Sequence, residues 1–379
     1  MSERSLNPRE AALRFPTTLM RFPVTLSRRA LVITAIAATL LGGAAASSAT
    51  LTGGSAPAAG AAGATAKAAP YTFVHDPTMA EENGTYYTFS TGDPAGTIGN
   101  GNIQIRTSRN LRDWTYDGTV FATKPAWITD ALGNIPNLWA PDISYFSGLW
   151  HLYYAGSSFG SNNSVIGLAT TPTLNPSSPR YHWTDDGLVF RSQSSDGYNA
   201  IDPSLVTAAN GAKWMVFGSY WSGIKLFSLD AATGKPAMAT PTLYSLAQKP
   251  APDPEEGSGI VYHDGYYYLF VAVDTCCRGI SSTYHIQVGR SAQITGPYTD
   301  AAGIDMNSGG GMEVQGADEG MIGPGSPFVF MAGGGRPWLV YHYYDAFASG
   351  DAWLQIRPLT WVDGWPVTGG PLVTVPGRG

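Results

Sequence analysis

The sequence predicts an all-β fold, a five-bladed β-propeller, and three observations carry that expectation. Aromatic residues make up 12% of the chain, charged residues only 13%, and glycine occurs 46 times in 379 residues, a balance suited to many short strands and turns. After Pro70 no helical periodicity of useful length is present. One pattern recurs five times instead: an acidic or small polar residue beside Pro or Gly, a short apolar strand, a Gly- or Asn-containing turn, and an aromatic strand. Its copies are 66, 60, 54 and 70 residues apart, counted between residues 76, 142, 202, 256 and 326. Strand-only repeats of that length correspond to four-stranded propeller blades.

The chain before the repeats is read separately. Residues Ala30 to Ala46 form an apolar stretch of 17 residues that follows Arg28-Arg29 and ends in an Ala-x-Ala pattern. A basic flank, an apolar centre and a small-residue cleavage site predict a secretory signal over 1–46. Its Ser-Arg-Arg-x-Leu start resembles a twin-arginine export signal. A membrane anchor is the competing reading, but this length, interrupted by Gly and Thr, is marginal for a bilayer. Met20 is an alternative start. Residues 47–69, rich in Ala, Gly, Ser and Thr, predict a flexible linker, and 70–379 the propeller. Cleavage after Ala46 removes six arginines and two glutamates and takes the net charge from −6 to −10. An acidic body without a basic tract argues against nucleic acid and anionic polysaccharide as partners, and favours a neutral substrate. The expected product is a secreted monomer with no membrane association.

The first repeat is His75-Asp76-Pro77-Thr78-Met79, a turn at Asn83-Gly84, then Tyr86 to Ser90. The second is Ala140-Pro141-Asp142-Ile143, Ser147-Gly148, then Leu149 to Ala155. The third is Ile201-Asp202-Pro203-Ser204, Asn210-Gly211, then Trp214 to Gly218. The fourth is Glu256-Gly257-Ser258-Gly259, Asp264-Gly265, then Tyr266 to Val271. The fifth is Gly325-Ser326-Pro327-Phe328, Gly333 to Gly335, then Trp338 to His342. Asn-Gly and Asp-Gly between apolar runs are strong hairpin signals, because type I′ turns need positive φ. The segments Ile103–Ile105, Val165–Leu168, Ile224–Phe227, His285–Val288 and Leu354–Arg357 are the expected third strands.

The innermost strands of a propeller line one channel, so Asp76, Asp142, Asp202 and Glu256 are expected near a single cavity, with Ser326 in the fifth blade. Carboxylates gathered without a basic counterpart cannot all ionise, and at least one pKa rises. A neutral carboxylic acid beside a carboxylate is the equipment of glycoside hydrolysis. The Trp-Ala-Pro-Asp setting of Asp142 reads as an architectural corner, not as chemistry. Cys276 and Cys277 are adjacent and cannot staple distant segments; a vicinal disulfide and two buried thiols both fit, with an unusual local turn expected near the site.

These segments resemble the family 43 glycoside hydrolases, particularly the endo-1,5-α-L-arabinanases. The resemblance rests on His75-Asp76-Pro77, Asn137 to Ile143, Tyr198 to Pro203, Phe217 to Leu226, Cys276-Cys277-Arg278-Gly279 and Ser282 to His285, and spans Tyr71 to Val367. It implies hydrolysis of α-1,5-linked arabinan, a neutral plant cell-wall polysaccharide, with inversion. It implies Asp76 as general base, Glu256 as general acid and Asp202 as the residue that positions the acid and raises its pKa. Base and acid of an inverting enzyme stand about 6.5–9.5 Å apart. Glu256 is preferred to Glu255 on its spacing to the Tyr266-Tyr267-Tyr268 strand. Trp139, Tyr220 and Trp221 are the expected stacking residues; Asn199, Ala200, Ile201 and Ser219 complete the expected sugar site. No cofactor is required. The family's fifth-blade Gly-x-Gly-His, which holds calcium or a similar ion, reads Gly323-Pro324-Gly325-Ser326 here, so no metal ligand is assigned. A water-coordinated calcium ion in the channel, or none, is what is left open. His342 is expected to be a core residue. The alternatives on the same fold are an exo-acting α-L-arabinofuranosidase or β-xylosidase, a retaining fructan-active propeller, and a non-catalytic carbohydrate-binding propeller.

Overall fold

The computed structural model describes residues 73–373, so the expected signal and linker lie outside the described residues. Five antiparallel sheets follow one another along the chain. Blade one holds β1 Thr78–Glu82, β2 Thr85–Ser90, β3 Gln104–Ser108 and β4 Thr115–Thr119. Blade two holds β5 Trp139–Phe146, β6 Leu149–Gly156, β7 Ser164–Thr171 and β8 Thr184–Ser192. Blade three holds β9 Ser204–Thr207, β10 Lys213–Phe217 and β11 Ile224–Asp230, with β12 Lys235–Pro236 and β13 Tyr244–Ala247 both pairing with β11. Blade four holds β14 Glu255–His263, β15 Tyr266–Val273, β16 His285–Ser291 and β17 Met312–Gln315. Blade five holds β18 Met321–Ala332, β19 Arg336–Asp345, β20 Ala352–Val362 and β21 Trp365–Thr368. Each expected third strand is found as β3, β7, β11, β16 or β20. The seven-residue helix α1 Ala126–Leu132, between blades one and two, was not foreseen.

The apolar runs explain how the blades stack. Side chains alternate faces along a strand, and here both faces are covered. In β15, Tyr267, Leu269 and Val271 pack with Val206, Val216 and Leu226 of blade three. Tyr268 and Phe270 of the same strand pack with Leu339, Tyr341 and Tyr343 of blade five. Equivalent clusters join blades one and two around Phe89, Ile105, Leu152 and Tyr154, and blades two and three around Tyr153, Ile166, Met215 and Phe217. A fifth cluster, with Met79 and Trp114 on one side and Val340 and Leu354 on the other, closes blade five onto blade one. A strand buried on both sides reads as a continuous apolar run.

The ring is completed by neighbouring innermost strands β1, β5, β9, β14, β18 and again β1. Among the described residues no strand is shared between the first and last sheets. Side-chain packing and bonds such as Val74 N–H to Ala352 O, 3.0 Å, make the seam. The turns at Asn83-Gly84, Ser147-Gly148 and Asp264-Gly265 have positive φ at both positions, as type I′ requires. Asn210-Gly211 does not: only Gly211 is left-handed. It lies in a longer loop closed by Ala208 N–H to Ala212 O.

Candidate active site

The cavity is built on one recurring backbone feature. In or just before each innermost strand stands a residue with left-handed φ: Asp76 at 50°, Ala140 at 41°, Asp202 at 54°, Gly257 at 58° and Ser326 at 52°. In four of the five a proline follows, and its fixed φ and missing donor suit the entry to a strand, as at Pro77 and Pro203, or a break in the ladder, as at Pro141 and Pro327. Left-handed backbone costs an ordinary L-residue about 1–2 kcal/mol, so its repetition at one level marks a functional rim.

This register places the carboxylates. Asp76, Asp202 and Glu256 line one cavity of about 400 Å3, together with His75, Thr91, Trp139, Phe159, Tyr284, Ser326 and Tyr344. Asp142 does not join them. The residue of blade two equivalent to Asp76 and Asp202 is Ala140, and Asp142 is two residues further down the strand. It is buried, accepts the Leu205 N–H at 2.7 Å through Oδ2, and lines the narrow channel below the cavity. The expectation that four acids share one cavity is corrected to three, because it aligned the repeats on their acids and not on their prolines.

Burial pushes Asp142 up to about 7, against the bond from Leu205 N–H. A carboxyl whose folded pKa is raised contributes stability fully present below about pH 4, and that contribution is lost as pH rises through about 7. Asp142→Asn keeps an acceptor for Leu205 and removes the charge. Its melting temperature should exceed the parent's at pH 8 by a few degrees, and the gap should narrow by pH 5 and close below about pH 4, as scanning calorimetry at the three pH values can read.

Strand alternation separates the two adjacent glutamates. Glu255 is completely buried, and neither of its oxygens has a hydrogen-bond partner. Glu256 turns to the cavity, where Oε2 accepts the Ser219 hydroxyl at 2.5 Å and Oε1 accepts the Tyr284 hydroxyl. Burial raises Glu256 to about 7; the Ser219 bond opposes this, the Asp76 charge adds to it and His75 opposes it. Asp202 is also held well above the usual carboxylate range, by burial first and then by the charges of Glu256 and Asp76, while the Gly257 N–H at 3.0 Å partly offsets them. Two such neighbours titrate as a pair, and near neutral pH the pair holds a proton.

Asp76 is the opposite case. Burial alone would raise it, but its surroundings reverse the sign. His75 Nδ1 lies 2.8 Å from Oδ2, the Thr91 hydroxyl donates to Oδ2 at 2.6 Å, and His342 Nδ1 stands 3.6 Å from Oδ1. Together they hold the Asp76 carboxyl far below its ordinary value. His342 also accepts the Asp76 backbone N–H at 3.1 Å. It is completely buried, as expected of a core residue, yet it forms the floor of the site, and burial and His75 keep it neutral.

The expected sugar-binding residues divide. Trp139 and Ile201 line the cavity. Trp139 donates to Asn137 Oδ1 at 2.9 Å and meets the largely exposed Phe159 ring at 5.2 Å, giving an aromatic wall. Asn199 faces inward, accepting the Ser164 hydroxyl at 2.7 Å, and Ala200 packs in the core between blades two and three. Ser219 is spent on Glu256. Tyr220 and Trp221 sit on a left-handed turn outside the cavity, with Trp221 40% exposed. These five are therefore not in the cavity wall, because the chain leaves the rim at Asp202 and again at Gly218. Phe159, Tyr284, Thr91, His75 and Tyr344 occupy the wall and were not assigned to it from the sequence. Cys276 and Cys277 form a vicinal disulfide beside them, which excludes two buried thiols.

The channel below encloses about 20 Å3, lined by Asp142, Ser204, Ser258 and Ser326. Asp142 Oδ1 and Ser258 Oγ are buried there without partners. One ordered water fits this space and these oxygens.

Comparison with known proteins agrees with this geometry. The model of the glycosyl hydrolases of family 43 matches residues 70–366. The extracellular endo-alpha-(1->5)-L-arabinanase 1 of Bacillus subtilis (strain 168) is 42% identical over 297 residues, covering 77% of this chain and 87% of that protein. The extracellular exo-alpha-(1->5)-L-arabinofuranosidase ArbA of Cellvibrio japonicus is 40% identical over 306 residues, covering 77% and 85%. The solved family 43 endo-arabinanase of Bacillus licheniformis superposes with a TM-score of 0.72 at 44% identity, over 78% of this chain and 97% of that one. With a matching family model over most of its length and a propeller that carries its acids on the rim, the chain belongs to the glycosyl hydrolases of family 43.

Proposed function

We propose that the chain is an exported hydrolase of α-1,5-linked L-arabinan that works by a single inverting displacement. The observation that carries the mechanism is the split in one cavity between an acid held protonated and a carboxylate held ionised. Glu256, raised to about 7, is the general acid that protonates the leaving glycosidic oxygen. Asp76 is the general base that takes a proton from the attacking water. Asp202 shares the proton of the Glu256 pair and keeps the acid charged with it. The Trp139–Phe159 wall offers apolar faces for a furanose ring. Substrate class and export are supported by relatives named extracellular arabinanases. Those relatives include an endo- and an exo-acting enzyme. The endo reading is kept here because the cavity is open, with the exposed Phe159 continuing its wall outward.

The experiment is digestion of debranched arabinan followed by proton NMR and chromatography. A β-configured arabinose end in the first product, with oligosaccharides ahead of monomer, is expected. An α-configured first product would overturn inversion, and monomer alone from the start would overturn the endo reading. The acid and base are side chains, so the same digestion in excess EDTA should run at an unchanged rate.

A further inference from the structure

The base does not stand alone. A chain of hydrogen bonds runs from the blade-four loop to its carboxylate. Cys277 N–H donates to the Tyr344 hydroxyl oxygen at 2.8 Å. Tyr344 Oη is 2.8 Å from His75 Nε2, and His75 Nδ1 is 2.8 Å from Asp76 Oδ2. Cys277 Sγ itself lies 3.9 Å from both Tyr344 Oη and His75 Nε2. The first link rests on a backbone N–H in the irregular loop between β15 and β16. Asp274 and Cys277 there are left-handed, at 77° and 65°, a conformation that persists only when its surroundings impose it. Two things impose it. The Cys276–Cys277 bond closes a small ring that contains the peptide bond between them. Gly279 presses on Gly350, where an added Cβ would come 2.8 Å from the Gly279 Cα.

We propose that the Cys276–Cys277 disulfide and Tyr344 are positioning groups for the general base: the bond holds the Cys277 N–H on the Tyr344 hydroxyl, and that hydroxyl holds the His75 ring against Asp76. This rests on the reading of Asp76 as base. The ionisable groups facing Asp76 and His75 are His342 and Tyr344 from blade five, Glu256 from blade four and Asp202 from blade three. Of these, Glu256 and Asp202 disfavour an anion, and of the two histidines that favour the ionised base His75 is the closer, at 2.8 Å against 3.6 Å. His75 is itself raised: burial lowers it, and the charge and hydrogen bond of Asp76 and the charge of Glu256 more than compensate. A His75 cation donates from Nε2 to Tyr344 Oη. Losing that acceptor disfavours the cation and lets the Asp76 carboxyl climb toward its ordinary value.

The test is the pH profile of kcat/KM on an arabino-oligosaccharide for the parent, for Tyr344→Phe, and for the parent reduced by a water-soluble phosphine. The phosphine gives two electrons to the disulfide, takes its oxygen from water as it becomes the oxide, and leaves two thiols that mass spectrometry counts. In both altered forms the acid limb should move up by about one pH unit, with KM and the plateau kcat little changed. Reoxidation of the reduced protein should restore the parent profile. A C276S/C277S variant combined with Tyr344→Phe should be no worse than Tyr344→Phe alone, since both cut one chain. Should the serine pair fail to fold, the reduced parent and Tyr344→Phe still decide. If both keep the parent's acid limb and kcat while Asp76→Asn is inactive, the positioning role is wrong and the base assignment stands. If Asp76→Asn keeps parental activity, the base assignment itself falls.

Discussion

Glu256→Gln is expected to lower kcat on arabinan about 10³-fold, within the 10²–10⁴ that a positioned proton donor supplies. Gln has the same shape, its carbonyl oxygen can still accept one of the Ser219 and Tyr284 hydroxyls and its NH2 can donate to the other, so the fold should be kept. The loss should shrink to tenfold or less on a nitrophenyl arabinofuranoside, whose leaving group departs without a proton. The parent's activity needs Glu256 protonated, so it should fall as pH rises past about 7. That alkaline limb should vanish in the variant on the activated substrate. Equal losses on the two substrates, or an unchanged alkaline limb, would remove Glu256 from the acid's place and direct attention to Asp202.

Asp76→Asn should be as damaging on arabinan and, unlike the first variant, equally damaging on the nitrophenyl substrate. Water must be deprotonated in both reactions, and a better leaving group does not help. KM should change little, because the carboxylate acts on water and not on the sugar. Stability moves as well. A carboxyl with a depressed pKa contributes stability present above about pH 4 and lost as pH falls through its folded value. Asn at this position gives up the charged pairing with His75, so the variant should melt lower than the parent at pH 7, and rates must be counted per folded molecule. A variant that loses activity on arabinan alone would point to a role in leaving-group departure.

The two substitutions together separate parts that the sequence already grouped. The blades were legible because each innermost strand opens on a repeated segment and each aromatic strand reads as an unbroken apolar run, as Tyr266 to Val271 does. Asp76, Asp202 and Glu256 were legible for the same reason, since repeat positions converge on one rim. Asp142 was misplaced because an acid just after a proline resembles an acid just before one, and a shift of two residues keeps the face but changes the depth. Tyr344 and Thr91 carried no local signal. Tyr344 lies on the second strand of blade five and Thr91 just past the end of β2, where Tyr and Thr are ordinary β-formers, and only the hairpin pairing brings them to the rim. Ser219 and Trp221 looked alike as candidates, being two residues apart. The left-handed turn at Tyr220 and Trp221 sends one to the acid and the other outward. No periodicity announces such a turn.

The left-handed residue that recurs at the rim of each blade has a wider consequence. In four blades the strand beyond it is fixed by the following proline and by the ladder, not by the side chain it carries: Asp, Ala, Asp and Ser all occupy the same conformation. The rim is therefore a set of interchangeable mounts on a rigid wheel. Ser326 is the mount that faces the cavity with no assigned task. An exchange there should leave the blades undisturbed and alter only what the substrate meets. Divergence of specificity on this scaffold can then proceed by single changes at a handful of addresses, without redesign of the wheel that carries them.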